Sequence, residues 1–186
     1  MSTAATTTLT ITGNYAIDPS HSRIGFVARH AMIAKVRGTF NDFAGTGYFD
    51  LENPAKSHLE LTIQATSIDT RNADRDAHLR TNDFFDMDTY PTITFVSTAV
   101  AKTGDDTFAV TGNLTMRGVT KPITIDFDYA GTAVDAFNAQ RIGLEGKVVV
   151  NRKDWGINWN AALDAGGVMV GDKVTLEFEV SAIKQS

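Results

Sequence analysis

The sequence predicts an all-β domain of about eight antiparallel strands with one short mid-chain helix, closed either as a barrel or as a sandwich. Three observations carry that expectation. Apolar and polar residues alternate in segment after segment, most cleanly over residues 57–65, where Leu59, Leu61 and Ile63 oppose His58, Glu60, Thr62 and Gln64. Turn residues recur at short spacing, as in Asp18-Pro19-Ser20, Gly104-Asp105-Asp106 and Arg117-Gly118. One polar run, RNADRDAHLR, interrupts the alternation and is followed at once by the paired aromatics Phe84 and Phe85.

The elements follow in order. Residues 15–19 form a short strand ended by a turn, and residues 22–29 alternate with Ile24, Phe26 and Ala28 on one face. Residues 30–34 read as a helical turn. Val36, Gly38 and Phe40 restart the alternation, Phe43 follows an irregularity at Asn41-Asp42, and Gly45 and Gly47 suggest a bend or bulge. Asn72 fits a helix N-cap, with Asp74 and Asp76 in the first turn where the helix dipole favours anions. The helix reads as a polar lid across an apolar opening, with Phe84 and Phe85 turned inward. Ile93 and Phe95 share a strand face, as do Phe108, Val110, Gly112, Leu114 and Met116. Pro122 starts the next strand, in which Ile123, Ile125, Phe127 and Tyr129 point one way. Residues 131–140 connect to a strand at 142–150. Trp155, Ile157 and Trp159 then share a strand face, and Val174, Leu176, Phe178 and Val180 close the chain.

Bulk properties narrow the function classes. The chain of 186 residues is 42% hydrophobic, enough for a sizeable core in one domain. A net charge of -5, with no run of Lys and Arg, argues against nucleic acid and against broad attraction to an anionic membrane. The absence of cysteine excludes disulfides and thiolate metal sites. His21, His30, His58 and His78 include no pair at the i, i+4 spacing of a helical zinc site, so no metal and no cofactor are expected. No apolar run approaches the roughly 20 residues that span a bilayer, so stable membrane insertion is not expected. The start, MSTAATTTLTITGN, has neither a basic segment nor an apolar core. Residues 1–14 are therefore expected to be a flexible tail before a domain at 15–186, and the protein to be cytoplasmic.

Six segments in fixed order, YAIDPSHSRIGFVARH, VRGTFNDFAG, SIDTRNADRDAHLRTNDFFD, YPTITFVS, VTGNLTMRGVTKPI and NRKDWGINWN, resemble the YceI-like family of lipocalin-like, polyisoprenoid-binding proteins. The resemblance runs from Tyr15 to Ile183. It implies an extended eight-stranded antiparallel barrel around an elongated apolar cavity. It also implies binding of a long-chain amphiphile, such as an isoprenoid, an isoprenoid quinone precursor or a fatty amide, and it permits a homodimer. Many members of that family carry an export signal, which this N-terminus lacks.

The expected cavity wall comprises Phe26, Phe40, Phe43, Leu61, Ile63, Ile93 and Phe95 from the first half of the chain. Leu114, Met116, Ile125, Phe127, Phe178 and the two tryptophans Trp155 and Trp159 complete it. Such stripes also suit a filled core, which predicts a barrel with no ligand, such as a stress-associated interaction protein. Phe84 and Phe85 are expected to cap the mouth. Arg75 and His78 are candidates to meet a ligand head group, and the alternative is that Arg75 and Asp76 only tie the helix to neighbouring strands. An enzyme acting on a lipid is the alternative, but no nucleophile elbow, phosphate loop or dinucleotide fingerprint appears, and a non-enzymatic carrier or store is expected. Gly112→Trp is expected to obstruct long ligands.

Overall fold

The computed structural model describes residues 9–186, so most of the expected tail lies outside the described residues. One antiparallel sheet takes in eleven strands. They are β1 (Gly13–Ile17), β2 (Arg23–His30), β3 (Ala34–Phe40), β4 (Phe43–Phe49), β5 (His58–Gln64) and β6 (Ile68–Asp69). Helix α1 (Ala73–Arg80) precedes β7 (Thr92–Lys102), β8 (Thr107–Met116), β9 (Val119–Val134), β10 (Gln140–Asn151) and β11 (Val170–Lys184). Three breaks divide long staves into pairs of segments: a 3-10 turn at Pro19–His21, the irregularity at Asn41-Asp42, and another short turn at Ala65–Ser67. Rejoined, the segments make eight staves, each paired with the next. The ring closes where β11 pairs with β1 through Ala182 and with β2 through Phe178. The fold is an eight-stranded antiparallel barrel with one short helix.

Local chemistry explains the elements. Asn72 caps α1 by accepting the Arg75 N–H at 2.9 Å, as its side chain and the acidic first turn predict. Two connections differ from expectation. Residues 30–34 are a hairpin turn between β2 and β3, and the expected connection at 131–140 is shorter, because β9 runs to Val134 before turning. Pro122 lies inside β9 rather than at its start. It pairs with Asn113 on one side only, because β10 reaches β9 no further than Asp126. Residues 10–12 are already tied to the barrel: Gln140 Nε2 donates to the Thr10 carbonyl at 3.0 Å and Leu51 N–H donates to the Thr12 hydroxyl at 3.3 Å. Across the β1–β2 break, Arg141 bridges Asp18 and Asp135, each at 2.7 Å. Hydrogen bonds from Ser20, Arg141 and His21 hold the Asp18 carboxyl well below the usual carboxylate range.

Inward glycines set the packing. Gly45 and Gly47 sit in unbroken register opposite Leu61 and Leu59, so they mark neither bend nor bulge. Gly38 lies directly opposite Phe26 and Gly146 opposite Phe127, and in each pair the ring occupies the space that a Cβ would fill. A Cβ on Gly112 would come within 2.5 Å of the Phe95 ring and 2.6 Å of the Val96 carbonyl oxygen. The ring can swing but the carbonyl cannot, so substitution at Gly112 tests folding rather than ligand entry. Gly112→Ala is expected to cost about 1–3 kcal/mol, read from the midpoint of urea unfolding.

Candidate ligand-binding site

The staves bring their apolar faces to the barrel axis, and that axis is incompletely filled. A cavity of about 110 Å³ occupies the half of the barrel away from α1. Val100 of β7, Phe108 and Val110 of β8, Ile142 and Leu144 of β10 and Ala182 of β11 line it, together with Tyr15, Ile17, Phe49 and Leu59. A second cavity of about 30 Å³ lies in the half nearer α1, among Phe40, Ile63, Ile93, Leu114, Met116, Ile123 and Leu176. Ile24, Leu61, Phe95 and Phe178 line both, so these four side chains form the partition between them. For scale, a dry cavity of about 150 Å³ admits benzene. A chain of several isoprene units therefore fits only if the partition side chains swing aside.

The predicted wall residues divide accordingly. Leu61, Phe95, Ile125 and Phe127 border the larger cavity, and Phe40, Leu61, Ile63, Ile93, Phe95, Leu114 and Met116 the smaller. Phe26 and Phe43 are buried in the surrounding core, Phe26 with its ring 5.7 Å from that of Phe40. The segment carrying Trp155 and Trp159 is not a strand. It is a 3-10 turn at Arg152–Trp155 ended by Gly156 at φ 74, followed by irregular chain. Trp155 is 2% exposed and donates its indole N–H to the Leu114 carbonyl at 2.9 Å. Trp159 packs instead against the lid, 5.3 Å from the Phe84 ring and 4.6 Å from the His78 ring.

The lid residues face inward at the narrow end. Phe84 is buried, and Phe85 meets Phe40 edge-on at 6.1 Å. The polar residues of α1 turn toward their own segment. Arg75 donates to the Thr70 hydroxyl at 2.8 Å and the Thr70 carbonyl at 2.6 Å, and buried Asp76 accepts the Thr70 N–H at 2.9 Å. His78 Nε2 lies 2.8 Å from the Asp83 carboxylate. Neither Arg75 nor His78 borders a cavity. Arg117 of the β8–β9 turn fastens the same end by donating to the Gly156 and Asn82 carbonyls at 2.5 and 2.7 Å.

The phenols of Tyr15 and Tyr129 lie at the wide end, where Thr46, Tyr48, Ser57, His58 and Glu60 also border the larger cavity, and of those two phenols only Tyr15 borders it. Tyr15 donates to the Ile11 carbonyl, whereas the buried Tyr129 hydroxyl has no partner among the described residues. Tyr129 packs with Tyr15, Ile142 and Ala182, all of which border the larger cavity. Burial pushes both phenols up, helped at Tyr15 by Tyr129 and at Tyr129 by Asp106. Among the described residues no three His, Asp or Glu side chains gather closely enough to hold a metal ion.

A closed eight-stranded meander with an apolar, partly empty axis is a lipocalin-like barrel. The chain belongs to the YceI-like domain family, whose pattern matches residues 15–182. Protein YceI of Escherichia coli is 41% identical over 149 residues, covering 79% of this chain and 78% of that protein. A UPF0312 protein of Pseudomonas aeruginosa is 39% identical over 174 residues, covering 92% and 87%. Among solved structures, Burkholderia cenocepacia BcnA superposes with a TM-score of 0.79 at 25% identity, over 89% of this chain and 98% of that one. A polyisoprenoid binding domain from Saccharophagus degradans shares the fold, with a TM-score of 0.67 at 16% identity, over 92% and 98%.

Proposed function

We propose that residues 15–182 act as one unit that binds a long-chain isoprenoid or related lipid along the barrel axis, to carry or store it without chemical change. The observation that supports this reading most is the pair of apolar cavities in series, parted by Ile24, Leu61, Phe95 and Phe178. Each methylene buried there contributes roughly 0.8 kcal/mol, so a chain needs few polar contacts to bind. The polyisoprenoid binding domain that shares this fold points to the same ligand class. In this reading the head group lies at the wide end, where the unpartnered hydroxyl of Tyr129 packs behind Tyr15, Ile142 and Ala182 rather than on the cavity wall. That assignment replaces Arg75 and His78, whose polar groups are directed to Thr70 and Asp83.

Organic extraction of the purified protein followed by mass spectrometry should recover a lipid of this class. Ala182→Phe, which fills the larger cavity from β11, is expected to shift the bound population toward shorter chains. Protein that yields no lipid, and that takes up none from added long-chain isoprenoid alcohol, would overturn the proposal.

A further inference from the structure

The β2–β3 hairpin is built against its own stability. His30 accepts the Ile33 N–H at 3.2 Å within the three-residue connection to Ala34, and its first two residues are left-handed, Ala31 at φ 50 and Met32 at φ 63. Such turns favour Asn-Gly, because a Cβ is disfavoured in that region. Here the turn holds an alanine and a methionine instead. The strands behind it carry a second cost: Arg29 lies directly opposite Lys35, and like charges in register repel. Features that cost stability persist where function requires them.

The result is an apolar tip on a basic stem. Met32 is 57% exposed and Ile33 83% exposed, and Val168 of the neighbouring loop adds a third exposed apolar side chain at 40%. Below them Arg29, His30, Lys35 and Arg37 are all exposed. None of the four takes part in an ion pair among the described residues. In sequence the cations Arg29, Lys35 and Arg37 are spread over 29–37 and form no run. The hairpin folds them onto one tip, which is how a local positive patch arises in a chain of net charge -5. An exposed apolar side chain at another hairpin tip, Phe137 at 91%, provides a contrast. It sits at the opposite end of the barrel beside Asp135, near the turn that carries Asp105 and Asp106.

We propose that the β2–β3 hairpin is a reversible membrane-docking element: Met32 and Ile33 enter the interface of an anionic bilayer while Arg29, Lys35 and Arg37 meet its head groups. Charge complementarity selects this partner over a neutral surface. The apolar pair supplies the burial that a purely electrostatic contact lacks. No helix of the described chain is long and apolar enough to cross a membrane, so the contact is peripheral. The inference stands independently of lipid binding inside the barrel, since it concerns only the outer tip.

The test is co-sedimentation with vesicles of phosphatidylcholine alone or with about one-third phosphatidylglycerol, at low and high salt. Binding should require the anionic lipid and weaken with salt. Lys35→Ala with Arg37→Ala should weaken it by roughly fivefold per cation. Ala31→Asn with Met32→Gly installs the residues that the turn favours, so it should fold at least as stably as the parent yet bind roughly tenfold less. Vesicle binding unchanged in that variant, or equal on neutral vesicles, would overturn the proposal. So would a dimer in analytical ultracentrifugation that Ala31→Asn with Met32→Gly dissociates, without vesicle binding by the parent.

Discussion

Phe95→Ala is expected to lower the stability of the ligand-free protein by about 3–5 kcal/mol, the usual cost of removing a buried aromatic side chain. Phe95 is 3% exposed, and its ring lies over Gly112, at the partition between the two cavities. Its loss joins voids of about 110 and 30 Å³ and adds the volume of the ring itself. The cost should therefore sit at the upper end of the range, because Gly112 beneath the ring has no side chain with which to fill the gap. The same change clears the path that a long chain must take. Urea unfolding should show the loss in the lipid-free protein and a larger recovery on adding long-chain isoprenoid alcohol than the parent shows, since ligand bound only by the folded state stabilises it. A loss under about 1 kcal/mol would show that the ring does not pack as a partition. A loss with no recovery would separate the partition from the ligand path.

The lining of the smaller cavity was mostly legible in the sequence and that of the larger only in part, through Leu61, Phe95, Ile125, Phe127 and Phe178, for a physical reason. Leu61, Ile63, Leu114 and Met116 lie on strands whose alternation is unbroken, so period two placed them inward. Toward the wide end the period fails. A register shift between Ser97 and Ala99 reverses the phase of β7 and turns Val100 inward beside Phe108 and Val110. A second shift leaves Ala130 as the extra residue of β9, so that strand changes phase after Tyr129, while Ile142 and Leu144 of β10 keep period two. Tyr15 lies in a five-residue strand with too few partners to show a face, whereas Ala182 continues the face of Val174, Leu176, Phe178 and Val180 on β11. The start of the helix, by contrast, was readable to the residue, because Asn72 and the acidic turn after it are local chemistry. The role of Arg75 was open in sequence, because its partner Thr70 is set by how the chain enters the helix.

The irregular segment 152–159 was misread as a strand because Trp155, Ile157 and Trp159 keep period two, and the residue that decides its shape is a charge. Arg152 is 4% exposed and its guanidinium donates to four carbonyls: Gly171 at 2.9 Å, Ile157 at 2.7 Å, Trp159 at 2.8 Å and Val170 at 3.3 Å. Asp172 stands 3.9 Å away, too distant and too exposed to be the main partner. Burial pushes the Arg152 guanidinium below its usual range, with Asp172 working against that. The group nonetheless stays charged, because an arginine starts so far above neutrality. Its five donors in a rigid fork suit carbonyls arriving from two directions, the 152–159 turn and the start of β11. Arg152→Ala removes those donors and leaves buried acceptors unpaired, so it is expected to cost about 2–4 kcal/mol. Arg152→Lys should recover only a minor part, since an ammonium on a flexible stem cannot reach four acceptors at once. The readout is specific because both tryptophans of the chain, Trp155 and Trp159, lie in the segment that the arginine holds. Their fluorescence should shift to the red in Arg152→Ala before the far-ultraviolet signal of the sheet is lost. Simultaneous loss of both signals would mean that the segment and barrel unfold as one unit, and that Arg152 holds the wall rather than its strap.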